Sequence, residues 1–403
     1  MKPRPARARP DAADSRGAAW LCLRWAVLAT LLALAWQFLT VTFNYRGNWT
    51  ALFRTSQKLE PPPELAAGTY RIPGGYDGQF YRYMAHDPWL RKGYHRYLDD
   101  VRPRYRRILL PAVAWLLAGG NARFIDAAFI AAVLLCVLLG SYYLSRYAHH
   151  HGRHPAWGLA FLLVPATPIS LDRLTVDVAL AACCTAFAWY ATRGSPGPLA
   201  LTLALAVLAR ETGALLIAAA CLEALWRRRL PRAVLYAAAV LPALFWFHFV
   251  ATRLVASGMP AHPFFPHWLL NRPLVGMVMK LFRPESYPLD PVKLLVARAA
   301  DVLALIGVLL ALGLALWRLL RRHFDAEAFG ALAFVGLALV ISDPNYWGDV
   351  NGYGRTISPL LLLVALPAAA GGSLWLLLPA LLVDLRLGIQ FASPALGILR
   401  NLF

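Results

Sequence analysis

Charge is what this sequence has least of. Only 15% of its 403 residues are Asp, Glu, Lys or Arg, where a soluble domain carries roughly a quarter. A chain this poor in charge cannot coat a water-facing surface. Apolar runs recur from Trp20 onward, which also excludes a soluble enzyme on a single anchor. Cysteine is scarce too. Cys22, Cys136, Cys183, Cys184 and Cys221 all fall inside apolar stretches, without metal-ligand spacing. They read as buried small hydrophobes, and neither a zinc site nor a disulfide framework is expected. Acid is scarcer than base: 21 Asp and Glu against 40 Lys and Arg, a net charge of +19. On a soluble protein this would suggest nucleic acid. No zinc-finger, helix-turn-helix or base-stacking signature accompanies it, so no nucleic acid partner is expected. Much of the positive charge lies in short loops between apolar segments, where Arg and Lys set orientation and meet anionic membrane lipids.

What is abundant is apolar: 59% of the residues. The fold class this predicts is an all-α polytopic membrane protein, with about 10–12 transmembrane helices and a large first extracytoplasmic loop containing short helices. A basic cytoplasmic tail, 1–17, precedes a single transmembrane domain, 18–403. The first span is expected at 18–43. Its apolar run of about 25 residues is longer than the ~7–15 of a signal-peptide core. The first loop, 44–106, is Pro-, Gly- and Tyr-rich and lacks an apolar run. That is long for a structureless connection and suggests a functional loop. Further apolar segments fall near 107–119, 124–147, 157–171, 176–192, 199–209, 212–226, 233–255, 294–317, 328–342, 357–370 and 373–386. A second large extracytoplasmic loop is expected at 256–293. Several segments are shorter than the ~20 residues of an ordinary span, so broken or re-entrant helices are expected among them.

Parity fixes the topology. If 107–119 does not cross, four connections fall on the cytoplasmic side with ten arginines: Arg146, Arg153, Arg193, Arg227, Arg228, Arg229, Arg232, Arg318, Arg321 and Arg322. The short opposite loops then hold three, Arg173, Arg210 and Arg355. The longer opposite loop, 256–293, adds Arg272, Lys280, Arg283 and Lys293, and the balance still obeys the positive-inside rule. If 107–119 crossed, the cluster Arg227 to Arg229 would lie outside. The segment is therefore read as a partial or surface helix.

With this topology one face collects acids and arginines together. It receives Asp77 and Asp87 from the first loop, then Asp172, Arg173 and Asp177, then Arg210 and Glu211. Asp343, Asp349, Tyr353 and Arg355 follow near the end. Ionisable groups near lipid cost about 2.5–3.5 kcal/mol each at a helix centre. Arg210-Glu211, placed between two apolar segments, is either an interfacial ion pair capping a helical hairpin or part of a polar site. Asp77 stands before Gly78, so it is either a turn-forming residue or a functional carboxylate. Gly75 and Gly78 permit close backbone approach, and Tyr76, Phe80 and Tyr81 could form an interfacial belt or a sugar-stacking wall. The cluster Arg102, Arg104, Arg106 and Arg107 is either a solvated patch on anionic lipid or a source of phosphate ligands, since guanidinium groups bind phosphate oxygens in pairs. His149, His150, His151 and His154 lie on the other face and read as a polar loop.

These residues resemble a family. The order of elements is similar to the GT-C superfamily of integral membrane glycosyltransferases that use polyprenyl-phosphate sugars. Tyr76-Asp77-Gly78-Gln79-Phe80-Tyr81, Arg106-Arg107-Ile108-Leu109-Leu110-Pro111, Ala209-Arg210-Glu211-Thr212-Gly213 and Tyr353-Gly354-Arg355 resemble motifs of bacterial members linked to cell-surface glycopolymer formation. The resemblance implies an inverting transfer of a sugar from a polyprenyl-phosphate donor to a lipid-linked or cell-surface glycan acceptor. It implies Asp77 as general base and Arg106, Arg107, Arg210 and Arg355 as ligands of the donor phosphate. Tyr76, Gln79, Tyr81, Asp87, Asp172, Arg173, Asp177, Glu211 and Tyr353 would line the substrates. It places the protein in the bacterial inner (plasma) membrane with the site facing the periplasm or exterior. One departure stands out. Many members carry paired acids in this loop, whereas Asp77 is followed by Gly78, Gln79 and Phe80, and no metal or other cofactor is expected. Two alternatives remain: a transporter or flippase of a lipid-linked glycan, and a polysaccharide polymerase or ligase. The first is disfavoured by the absence of an inverted repeat and of mid-membrane charge. The second commonly has its large loop late in the chain.

Overall fold

A computed structural model describes residues 12–258, 272–283, 287, 289–341 and 343–402. Most of the expected tail, 1–11, and the middle of the expected second loop, 259–271, lie outside the described residues. The chain is all-α and polytopic. Its helices in order are α1 (Ala12–Tyr45), α2 (Pro63–Ala66), α3 (Gly78–His86), α4 (Val101–Arg106), α5 (Leu109–Leu117), α6 (Ala122–His150), α7 (Ala166–Arg173), α8 (Asp177–Arg193) and α9 (Pro196–Ala209). Then come α10 (Ala214–Trp226), α11 (Leu230–Ala238), α12 (Leu241–Ala256), α13 (Val275–Phe282), α14 (Pro291–Leu320), α15 (Ala326–Val340), α16 (Pro344–Gly348), α17 (Val350–Ala369) and α18 (Leu378–Leu402). Among the described residues six helices are long and apolar enough to cross a membrane: Arg16–Tyr45, Ala122–His150, Leu230–Ala256, Pro291–Leu320, Val350–Ala369 and Leu374–Leu402.

Local chemistry sets the helix ends. Asn121, Asp290 and Asp325 place side-chain oxygens on the first free N–H groups of α6, α14 and α15. Pro196 and Pro291 occupy first-turn positions, where a missing N–H costs nothing. Residues 155–173 carry Pro155 and Pro165 and do not form one helix. A 3-10 stretch, Pro155–Leu163, gives way to α7, a broken element of the expected kind. α18 runs on to Leu402, past the expected end near 386. Asp384 and Arg386 interrupt the apolar pattern there, but Arg386 is neutralised by Asp301 of α14 at 2.5 Å and held by Tyr287 Oη at 3.1 Å.

α17 is the axis of the bundle. Of its apolar window 83% is buried, against 28–50% for the other five long helices. It packs on α8, α14, α15 and α18. It also contains two prolines. Pro359 and Pro367 cannot donate to the carbonyls four residues back, those of Arg355 and Leu363. Arg318 Nη1 repairs the second at 3.2 Å.

The contacts sort the element ends onto two faces. On one, residues from the segment 46–107 meet residues 172, 211, 349 and 355, and Arg355 also meets Asp177. On the other, Tyr147 meets Glu327, Arg318 meets Asp325, and Trp226 packs on Phe324. α5 begins and ends on the first face: Arg107 just before it contacts Glu211, and the Gly119–Gly120 turn after it leads into α6. It is nine residues long and packs on α3 and α6. At 1.5 Å per residue it is far too short to reach the other face.

Candidate functional site

The segment 46–106 folds over the ends of the long helices as short elements tied by hydrogen bonds. Two two-residue strands, β1 (Thr55–Ser56) and β2 (Arg71–Ile72), pair in parallel, with Thr55 opposite Arg71 and Ser56 opposite Ile72. Gly75 (φ 84°) takes the left-handed turn that follows β2, where a Cβ would collide with Ser56. The next turn starts α3. A Cβ on Gly78 would collide with the Arg173 carbonyl oxygen. The glycine therefore lets α3 lie directly on the end of α7.

Asp77 stands at the head of α3. A turn-forming or capping Asp would place its carboxylate on a backbone N–H, but Asp77 makes no side-chain cap bond. Both oxygens go to arginines instead. Oδ1 accepts from Arg104 Nη2 at 2.8 Å, and Oδ2 lies 2.5 Å from Arg355 Nη2. Arg355 reaches from α17, and its Nη1 also bonds Asp177 Oδ2 at 3.5 Å. Asp177, the first residue of α8, is in turn ion-paired with Arg210. Next to Arg210, Glu211 accepts a forked pair of bonds from Arg107, at 2.9 Å from Nε and 2.6 Å from Nη2. Tyr81 Oη links the halves, accepting from Arg107 at 3.3 Å and Arg104 at 3.5 Å.

Tyr76 forms the other wall. The guanidinium carbons of Arg173 and Arg355 lie 4.7 and 5.1 Å from the centre of its ring. Its hydroxyl donates to Asp349 Oδ2 at 3.2 Å, while Asp349 Oδ1 caps α17. Behind Arg173, Asp172 is gripped by Arg54 Nη2, at 2.9 and 2.7 Å from its two oxygens. Arg54 (φ 53°) and the buried Leu174 (φ 42°) both hold left-handed backbone, rare for such residues. Each makes the chain reverse beside the ionic cluster.

The electrostatics follow from this crowding. Burial alone would raise the Asp77 carboxyl, but Arg355 and Arg104 outweigh it and hold the group far below the usual carboxylate range. Burial likewise works against the Glu211 charge, and Arg107 outweighs it, leaving that carboxyl at about 2. Burial pushes the Tyr76 phenol well above its usual range. Asp77 and Glu211 are thus ionised at neutral pH, and the Tyr76 phenol is neutral. Three of the cluster's arginines are not saturated. Nε of Arg210 and of Arg355 is shut off from solvent and donates to nothing among the described residues. Arg173 Nε makes no hydrogen bond either, although Asp172 Oδ2 lies 3.4 Å away.

Of the residues singled out in the sequence, Asp77, Tyr76, Tyr81, Arg107, Asp172, Arg173, Asp177, Arg210, Glu211 and Arg355 converge here. Four do not. Gln79 Oε1 accepts the Ser56 N–H at 3.0 Å and braces β1. Asp87 accepts the N–H groups of Arg91, Lys92 and Tyr94, ordering its own loop. Arg106 lies over the Phe247 ring, 5.5 Å from its centre, against α12. Tyr353 stacks on Trp347 at 5.7 Å between centroids.

Arg54, Asp99 and the particular importance of Arg104 were not singled out. Arg104 had a readable signal. It is three residues before Arg107, so the two share a helical face, whereas Arg106 lies off it. Asp99 grips Arg104 from the solvent side at 2.8 and 3.0 Å. The histidines at 149–151 and 154 sit on the opposite face. No group of three or more His, Cys, Asp or Glu residues capable of holding a metal ion occurs among the described residues.

Comparison with protein-family models, with curated proteins and with solved structures finds no match. The chemistry of the cluster must therefore speak for itself.

Proposed function

We propose that this protein is an inverting glycosyltransferase that moves a sugar from a polyprenyl-phosphate donor to a lipid-linked or cell-surface glycan acceptor. The single observation that carries the proposal is the unused Nε–H of Arg210 and of Arg355, buried on guanidinium groups whose terminal nitrogens pair with Asp177 and Asp77. A buried N–H without an acceptor is costly. An anionic ligand with several oxygens supplies acceptors, and a phosphate matches the guanidinium fork. The aromatic wall of Tyr76 and Tyr81 beside a carboxylate suits a sugar held against its acceptor.

The reaction assigns each group a task. The acceptor hydroxyl attacks the anomeric carbon as Asp77 takes its proton. The bond from that carbon to the phosphate oxygen breaks, and its electron pair stays on the departing polyprenyl phosphate. Arg104, Arg107, Arg210 and Arg355 offset the charge gathering there. Asp77 afterwards loses its proton to water or to the released phosphate. The positive-inside rule supports a non-cytoplasmic position for the cluster, and the family resemblance adds a bacterial plasma membrane, where lipid-linked sugars would meet surface glycans.

The test uses purified full-length protein in lipid nanodiscs, supplied with polyprenyl-phosphate sugars and glycan-lipid acceptors. Formation of a glycosylated acceptor and free polyprenyl phosphate is expected. Movement of the intact lipid-linked glycan across the bilayer, with no bond made or broken, would replace the reading with a flippase. Sidedness is read separately. Cysteine at Lys58 is expected to react with an impermeant thiol reagent in intact cells, and cysteine at Arg228 only after lysis.

A further inference from the structure

Asp77 is awkwardly placed for a base, because the bonds that hold it also occupy the lone pairs a proton would need. Each of its oxygens faces one guanidinium: Oδ1 faces Arg104 at 2.8 Å and Oδ2 faces Arg355 at 2.5 Å. Those two groups also bear the geometry of a phosphate site. They approach from opposite elements, the α4 region and α17, and close on a pair of oxygens between them. A carboxylate and one edge of a phosphate present the same two-oxygen pattern to such a fork.

We infer that Asp77 stands in the place the donor phosphate takes on Arg104 and Arg355, so that phosphate binding and release of the Asp77 carboxylate are a single exchange. This rests on the transferase reading above. The surroundings make the exchange feasible. Arg104 keeps a second tether on Asp99, whose side chain is 47% exposed, so it can turn without being stranded. Arg355 keeps Asp177 and has its Nε free to donate. The phosphodiester of the donor carries one charge and two free oxygens, matching the carboxylate. The unused Nε–H groups of Arg355 and Arg210 offer it bonds that Asp77 does not take, so it can displace Asp77 from both. Once displaced, the carboxylate has open lone pairs beside the bound donor. The base is thereby exposed only when its leaving group is in place, which ties proton removal to donor occupancy and orders donor before acceptor.

Exchange makes a prediction that a simple phosphate site does not. Asp77 competes with the ligand, so removing its charge should strengthen binding. A site closed on itself in all but about a tenth of molecules weakens apparent affinity about tenfold. The measurement is the Kd of a long-chain polyprenyl phosphate for the full chain in nanodiscs. Asp77→Asn is expected to bind on the order of tenfold more tightly than wild type, and Arg104→Gln and Arg355→Gln more weakly. Equal or weaker binding by D77N overturns the exchange. If D77N does not fold, wild-type protein carrying isotope-labelled aspartate decides. Adding the lipid phosphate should shift an aspartate carboxylate stretch in the infrared difference spectrum, and an unchanged aspartate region overturns the exchange. The two readings fail separately. Tighter binding by D77N together with no sugar transfer by wild type keeps the exchange and removes the transferase. Unchanged affinity together with lost transfer keeps Asp77 as base and removes the exchange.

Discussion

Two arginine–carboxylate clusters meet on one short segment of this protein, α3 and the residue before it, and they are built differently. Asp77 heads α3 and Arg82 lies within it, little more than one turn along. Arg82 has every nitrogen engaged. Nε and Nη2 hold Asp126 of α6 at 2.7–3.1 Å, and Nη1 donates to Thr69 Oγ1 at 2.7 Å, while His86 Nε2 adds a contact to Asp126 at 3.0 Å. Arg355 and Arg210 pair with carboxylates and still carry a buried Nε–H that bonds nothing among the described residues. Arg82, saturated in this way, is a fastener that pins α3 to α6. An unsaturated guanidinium retains capacity for a ligand. Counting partners per nitrogen therefore distinguishes Arg82 from Arg210 and Arg355 where counting ion pairs would not. Arg104 and Arg107, also fully engaged, join the site through Tyr81 and the carboxylates they hold.

The sharpest way to break this contrast is to remove one acid from each cluster. Asp77→Asn should lower sugar transfer by about 10²–10⁴-fold, the usual worth of a general base, in protein that still reaches the membrane folded. Full retention of transfer would sink Asp77 as base. Asp126→Ala should do the reverse. It strands Arg82 and His86 and should cost about 3–5 kcal/mol of stability. The molecules that fold should transfer at nearly the wild-type rate. Thermal unfolding in detergent, paired with activity per folded molecule, reads both at once. Loss of turnover in well-folded Asp126→Ala would put that cluster inside the site.

A smaller effect is expected from Arg355→Lys. Lysine keeps the charge but is a single point donor and cannot bridge Asp77 and Asp177 together. Donor KM should rise by about tenfold, equivalent to about 1.4 kcal/mol, with little change in the acceptor term. Equal effects on both substrates would mean that Arg355 positions the whole site and does not grip the donor phosphate.

The sequence made much of this readable, for physical reasons. Hydropathy responds to burial in lipid, so the long helices and the all-α polytopic class were legible. Arginine counting gave the same grouping of loops as the contacts, because residues 77, 107, 177, 211 and 355 do meet on one face. Individual side-chain duties were less legible. Asp87 and Asp77 look alike in sequence, each beside a turn residue, yet one is spent on backbone N–H groups and the other on arginines. Gln79 and Tyr353 sit in the right motifs but point into packing. Direction within a short helix depends on where neighbouring elements lie, and no pattern in one segment encodes that. The spacing of Arg104 and Arg107 is the exception, since helical geometry alone puts them on one face.

The smallest effect concerns Glu211, and it tests whether the Arg107 pair belongs with the fasteners. Burial would raise this carboxyl above its usual 4.5, but Arg107 outweighs it and holds it at about 2 in the folded protein. A carboxyl depressed on folding adds stability wherever it is ionised in the unfolded chain as well, that is, above about 4.5. As pH falls from there toward about 2, the unfolded chain takes up a proton that the folded one refuses, and the contribution drains away. Glu211→Gln cannot titrate. The melting temperature of wild type should therefore exceed that of the variant at pH 6, and the gap should narrow below about 4.5. The side chain is 32% exposed, so solvent screens the pair and the gap should be modest. A gap that stays constant down to pH 3 would mean that Glu211 contributes by packing and not by charge, leaving Arg107 free to serve a ligand as Arg355 does.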